Sequence, residues 1–100
     1  MQYPKPQEGI HVYTKTGCNY CIKVKQLLEE KKQNFTIIDC DKFILENKEK
    51  FLLFIRDITG KEYRLFPIVF ADKIFIGGYN ETLNYFTSLQ DQLLDFDLNF

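Results

Sequence analysis

Two thiols separated by two residues, in the run Cys18-Asn19-Tyr20-Cys21, sit where a short apolar strand gives way to a helical pattern. A thiol at a helix N-terminus faces unpaired backbone N–H groups and the positive end of the helix dipole, and both favour the thiolate. Exchange with a disulfide needs such a thiolate, and a helix N-terminus with a nearby cation lowers the pKa to roughly 3.5–7.5. Lys15 is the nearest cation in sequence. Cys21 lies on the inward helical face, which predicts a less exposed and less acidic sulfur. On spacing alone, the pair reads as redox or metal chemistry.

Composition bounds the setting. One hundred residues, 45% of them hydrophobic and with ten Phe and six Tyr, suit one domain with one core. A net charge of -1 argues against nucleic acid or membrane recruited by bulk electrostatics. Met1–Gly9 is polar, holds Pro4 and Pro6, and lacks the apolar run of a signal peptide; it is expected to be a flexible lead-in. No stretch is long enough to span a bilayer, so the expected address is cytoplasmic. In that reducing compartment, three cysteines do not suggest a structural disulfide framework.

The elements that must position the thiols follow from periodicity. Ile10–Tyr13 predicts a strand, and Cys21, Val24, Leu27 and Leu28 predict an amphipathic helix from Cys18 to about Lys32, ended by Asn34. Phe35–Ile38 predicts a second strand. Asp39-Cys40-Asp41 could cap a second helix from about Lys42 to Ile58, with Ile44, Leu45, Phe51, Leu52, Ile55 and Ile58 inward and Thr59-Gly60 as its stop. Ile68–Ala71 and Ile74–Ile76 predict a hairpin turning at Asp72-Lys73. After Gly77-Gly78, a third helix from Glu81 carries Leu83, Tyr85, Phe86 and Leu89, with Leu93 and Leu94 as an extension and residues 95–100 as a tail. The sum is an α/β chain of order β-α-β-α-β-β-α, a mixed four-stranded sheet flanked by helices, with its domain over residues 10–94.

With that order in place, the chain resembles a dithiol glutaredoxin of the thioredoxin fold. The resemblance rests on Tyr13-Thr14-Lys15-Thr16-Gly17-Cys18-Asn19-Tyr20-Cys21, on Phe66-Pro67-Ile68-Val69-Phe70 and on Phe75-Ile76-Gly77-Gly78, within residues 10–86. It implies a glutathione-dependent thiol–disulfide oxidoreductase acting on protein–glutathione mixed disulfides and protein disulfides. Cys18 would be the attacking thiolate and Cys21 the resolving thiol. It implies glutathione as co-substrate, disulfide-bonded or glutathionylated proteins as partners, ribonucleotide reductase among the family's clients, and a monomer.

The same resemblance implies the ligand site. Pro67 would have a cis peptide bond, leaving the backbone of Phe66 free to pair with substrate in strand fashion. Lys15 would meet the glycyl carboxylate, and Arg64 stands where the family often has an arginine. Gly78, Tyr79 and Asn80 would bring the third helix's N–H groups to the γ-glutamyl carboxylate. Tyr20 would flank the groove. Leu65-Phe66 replaces the family's usual Thr-Val, and Asn19 its usual proline, which implies a bulkier groove wall and an altered redox poise.

Two other classes compete. A [2Fe–2S] cluster bridged between two chains would use Cys18 and glutathione as ligands, but Cys-Gly-Phe-Ser and Trp-Pro elements are missing. A thioredoxin-like donor reduced by a flavoprotein typically carries Trp-Cys-Gly-Pro-Cys, and this chain has no tryptophan. No metal ligand set is expected. His11, the single histidine, and Cys40 are expected to be structural.

Overall fold

The computed structural model describes residues 2–87. Strands β1 (Ile10–Thr14), β2 (Phe35–Asp39), β3 (Ile68–Ala71) and β4 (Ile74–Gly77) alternate with helices α1 (Asn19–Glu30) and α2 (Asp41–Thr59). A third helix, α3, covers residues 79–87. Leu89, Leu93, Leu94 and the tail lie outside the described residues. The element order is the one expected, and the sheet is mixed, ordered β2-β1-β3-β4. β1 and β2 are parallel, so the chain must cross over between them, and α1 is that crossover; the other two pairings are antiparallel.

Side chains alternate across the sheet with period two. Val12 and Val69 face one way, packing with Val24 and Leu28 of α1 and Phe86 of α3. Tyr13, Ile68 and Phe70 face the other way, packing with Phe51 and Ile55 of α2. The result is three layers with the sheet in the middle. Register fixes where chemistry can happen: Tyr13 pairs with both Ile38 and Ile68, and Val69 pairs with Gly77. The ends of β1, β2 and β4 and the start of β3 therefore meet at one end of the sheet, which is where Cys18 comes after β1.

Local chemistry corrects several boundaries. α1 stops at Glu30, short of Lys32, because Lys32 turns left-handed (φ 56). Lys32 N–H donates to Glu29 O and Gln33 N–H to Leu28 O, the paired bonds of a Schellman end, at a residue that is neither Gly nor Asn. α2 starts at Asp41 and is kinked: Asn47 leaves helical geometry (φ -161, ψ 89), and its Oδ1 accepts the Lys50 N–H at 3.1 Å. Leu45, expected inward, is 86% exposed, because it stands about 100° round the helix from Ile44, which packs on the core; Phe43 and Phe54 pack there in addition to the expected Phe51 and Ile55. Gly60 ends α2 at φ 80, as Thr59-Gly60 implied. The hairpin turns at Asp72 and Lys73, both at positive φ, and Asp72 is tied to Gly9 by two hydrogen bonds of 2.7 and 2.9 Å.

Residues 2–9 have no regular structure, yet they are attached. Tyr3 meets the rings of Phe43, Phe51 and Phe54 at 5.1–5.4 Å, and the Tyr13 hydroxyl donates to Pro4 O at 2.7 Å. The polar, proline-bearing composition gave no sign of these contacts.

Candidate active site

Cys18 is the N-cap of α1. Its backbone is extended (φ -106, ψ 104), and its Sγ accepts the Cys21 N–H at 3.1 Å, so the sulfur itself satisfies one of the helix's orphan donors. No acidic side chain occupies the first turn, so nothing there opposes a negative sulfur. Cys18 is partly exposed, whereas Cys21 is 2% exposed behind it. The two sulfurs are joined as a disulfide, with Cα atoms 5.2 Å apart. The helix thus presents one sulfur to solvent and stores the second within reach.

On the β2 side of Cys18, a cleft of about 240 Å³ is lined by Lys15, Cys18, Cys21, Ile22, Lys25 and Asp39. The turn leading to it is held by Asp41, whose carboxylate accepts the Thr16 N–H at 2.8 Å and the Thr16 hydroxyl with its other oxygen. These two bonds, with Lys15 nearby, hold the Asp41 carboxyl below the usual carboxylate range. Lys15 Nζ lies 5.6 Å from the centroid of the Phe66 ring, which spans from this turn to the start of β3.

On the β3–β4 side stand the other expected residues. Phe66–Pro67 is cis, and Pro67 is buried. No hydrogen bond to the Phe66 backbone is formed among the described residues. Tyr20 is 52% exposed, with its ring 5.9 Å from that of Tyr79, which brings the first turns of α1 and α3 together. Gly78 is buried, Tyr79 partly buried and Asn80 exposed in the first turn of α3. Arg64 lines a groove with Glu49, Leu53, Arg56 and Tyr63 along α2. The structure therefore gathers Lys15, Cys18, Tyr20, Phe66, Pro67, Gly78, Tyr79 and Asn80 at one end of the sheet.

The α3 N-terminus holds a feature that sequence reading missed. Glu81 Oε1 accepts the Gly78 N–H at 2.8 Å, so that donor is taken by the chain's own carboxylate. Glu81 three residues after the cap is capping-box spacing, a signal that was there to read. The N–H groups of Tyr79 and Asn80 keep no intrahelical acceptor. Gly77 has φ 136, and a Cβ there would lie 2.7 Å from three Glu81 side-chain atoms, so the sharp entry into α3 admits only glycine. The Tyr63 hydroxyl sits 3.3 Å from where a Gly78 Cβ would be, closing the same corner; burial and Glu81 push its pKa up.

Cys40 is fully buried as the N-cap of α2, and burial together with Asp39 pushes its thiol up to about 12. His11 lies within β1, its Nδ1 buried and without a hydrogen-bond partner among the described residues. Among the described residues, no group of three or more His, Cys, Asp or Glu is placed to hold a metal ion.

The glutaredoxin family model matches residues 10–76. Glutaredoxin 1 of Rickettsia felis is 42% identical over 69 residues, which cover 69% of this chain and 63% of that protein. Glutaredoxin 1 of Rickettsia prowazekii is 36% identical over 75 residues, 75% of this chain and 74% of that protein. Among solved structures, glutaredoxin 1 from Francisella tularensis, crystallised with cacodylate, superposes with a TM-score of 0.67 at 27% identity, covering 81% of this chain and 95% of that one. A buckwheat glutaredoxin–glutathione complex shares the fold with a TM-score of 0.63 at 24% identity, covering 80% and 69%.

Proposed function

Because the chain belongs to the glutaredoxin family, whose members are thiol oxidoreductases, we propose that it is a glutathione-dependent thiol–disulfide oxidoreductase. Its substrates are protein–glutathione mixed disulfides and protein disulfides. The observation that carries this reading is Cys18 at the N-cap of α1, partly exposed, with Cys21 buried one turn behind it.

In the one-sulfur route, the Cys18 thiolate attacks the glutathione sulfur of a mixed disulfide. The Cys18–glutathione disulfide forms, the old S–S bond breaks, and the client leaves as a thiolate that takes a proton from water. A glutathione thiolate then attacks that adduct, releasing glutathione disulfide and restoring the Cys18 thiolate. With a protein disulfide, the Cys18 thiolate attacks one client sulfur, the client S–S bond breaks, and the other client sulfur leaves as a thiolate that takes a proton from water. Cys21 loses its proton and attacks Cys18, displacing the client sulfur joined to it and leaving the Cys18–Cys21 disulfide, the state of this structure. Two glutathione thiols then reduce it.

Glutathione is an anionic tripeptide, and the end of the sheet that carries Cys18 offers a cation in Lys15 and free N–H groups at Tyr79 and Asn80. Support for glutathione also comes from the buckwheat family member, which is a glutathione complex. The test is turnover of a glutathionylated peptide coupled to glutathione reductase. Cys18→Ser should abolish turnover, and Cys21→Ser should keep it while losing reduction of protein disulfides. Equal loss from both substitutions would contradict these roles, and turnover supported only by a thioredoxin reductase would replace glutathione as the reductant.

A further inference from the structure

Lys15-Thr16-Gly17 carries the chain from β1 to the attacking sulfur and is exposed throughout. Neither sheet nor helix bonds hold it. Among the described residues, its polar tethers are the two bonds from Thr16 to Asp41 and the Lys15 ammonium over Phe66. Asp41, by contrast, is fixed. It is the first residue of α2, its own N–H donates to Asp39 Oδ1 at 3.0 Å, and the Cys40 N–H beside it donates to Thr14 O at 2.8 Å. The helix N-terminus favours an anion there. One carboxylate thus grips both hydrogen-bond donors of Thr16, 25 residues away in sequence.

We propose that Asp41 is a positioning residue for thiol exchange: by gripping Thr16 it fixes the turn that sets Lys15 against Phe66 and delivers Cys18 to its N-cap position. Asp41 has this role only if Cys18 is the attacking sulfur, as proposed above. Without the grip, Cys18 Sγ drifts from the Cys21 N–H and Lys15 leaves the groove. Thiol ionisation and the hold on an anionic substrate are then lost together.

The experiment compares Asp41→Ala, which loses both bonds, Asp41→Asn, which keeps an acceptor, and Thr16→Val, which keeps the charge and loses only the hydroxyl bond. Lys15→Ala is made alone and with Asp41→Ala. One readout is the pH midpoint of Cys18 alkylation in a Cys21→Ser background, which needs no glutathione. The other is KM and kcat for a glutathionylated peptide. Asp41→Ala should raise KM roughly tenfold, as misplacement of a binding group does, with Asp41→Asn and Thr16→Val intermediate. Both Asp41→Ala and Thr16→Val should raise the alkylation midpoint. Lys15→Ala should cost less in the Asp41→Ala background than alone, because both act through one turn.

If Asp41 acts only as a nearby charge, its removal lowers the midpoint and Thr16→Val does nothing, which overturns the proposal. Full additivity of Asp41→Ala and Lys15→Ala overturns it as well, being what a purely structural role gives. Should Asp41→Ala fail to fold, Asp41→Asn and Thr16→Val carry the same comparison. Midpoint shifts as expected, in a protein that shows no glutathione turnover, would uphold Asp41 and sink the glutathione reading.

Discussion

Two cysteines of this chain stand at helix N-caps, and their surroundings give them opposite characters. Cys18 begins α1 partly exposed, with no acid in the first turn. Cys40 begins α2 fully buried, between Asp39 and Asp41, and its thiol is pushed up to about 12 by burial first and Asp39 second. A helix N-terminus is therefore not sufficient for a reactive thiol; solvent access and the sign of the neighbours decide. After mild reduction, iodoacetamide at neutral pH should label Cys18 and leave Cys40 unlabelled until denaturant is added, and comparable labelling of both in the native protein would refute the assignment. The same shift has a stability consequence. An acid whose folded-state pKa is raised keeps its proton in the fold while the unfolded chain loses it, so its stabilisation is complete below about pH 9 and is lost as pH climbs toward about 12. Burial shifts Tyr13 in the same sense. Cys40→Ala should flatten the alkaline fall in Tm without abolishing it. A parallel fall in both proteins would mean that Cys40 contributes nothing. The motif residues themselves were legible because they are contiguous. The grip of Asp41 on Thr16 was not, since it depends on two loops meeting only after the sheet has formed.

At the scale of elements, α1, β3 and the hairpin were readable because period and turn chemistry agree. α2 shows where such reading fails. Residues 42–58 read as one regular helix, but Asn47 leaves helical geometry and divides it. Asn47 then behaves as a cap: its Oδ1 accepts the Lys50 N–H, three residues on, and starts the helix that carries Phe51 and Ile55 into the core. The sign of one substitution separates the two pictures. In an exposed, regular helix, Asn→Ala gains a few tenths of a kcal/mol from propensity. At an N-cap the same change costs about 1 kcal/mol. Asn47→Ala should therefore destabilise the protein in a urea titration, with an unchanged m-value, and a stabilised variant would show that the kink is not held by this side chain.

At the scale of the molecule, the strand alternation announces two apolar faces, and the structure covers one with α1 and α3 and the other with α2. What it does not announce is that the α2 layer is completed by the N-terminal segment. Tyr3 inserts among Phe43, Phe51 and Phe54, all contributed by α2, and the Tyr13 hydroxyl from β1 fastens Pro4 behind it. A lone tyrosine in a polar, proline-rich stretch has no periodicity from which burial could be inferred. Its contribution is nevertheless large for a small domain: partial burial of one ring plus three aromatic contacts is worth about 2 kcal/mol. For a domain of this size, that corresponds to a fall in Tm of roughly 8–16 °C for Tyr3→Ala. Tyr3→Phe should lose little, because the Tyr3 hydroxyl takes part in none of these bonds. Alkylation of Cys18 at 20 °C should be unchanged in both variants, since neither the α1 N-cap nor the Thr16 turn is touched. If Tyr3→Ala melts with the parent protein, the segment lies on the surface without stabilising it, and the α2 layer is complete without the residues that precede β1.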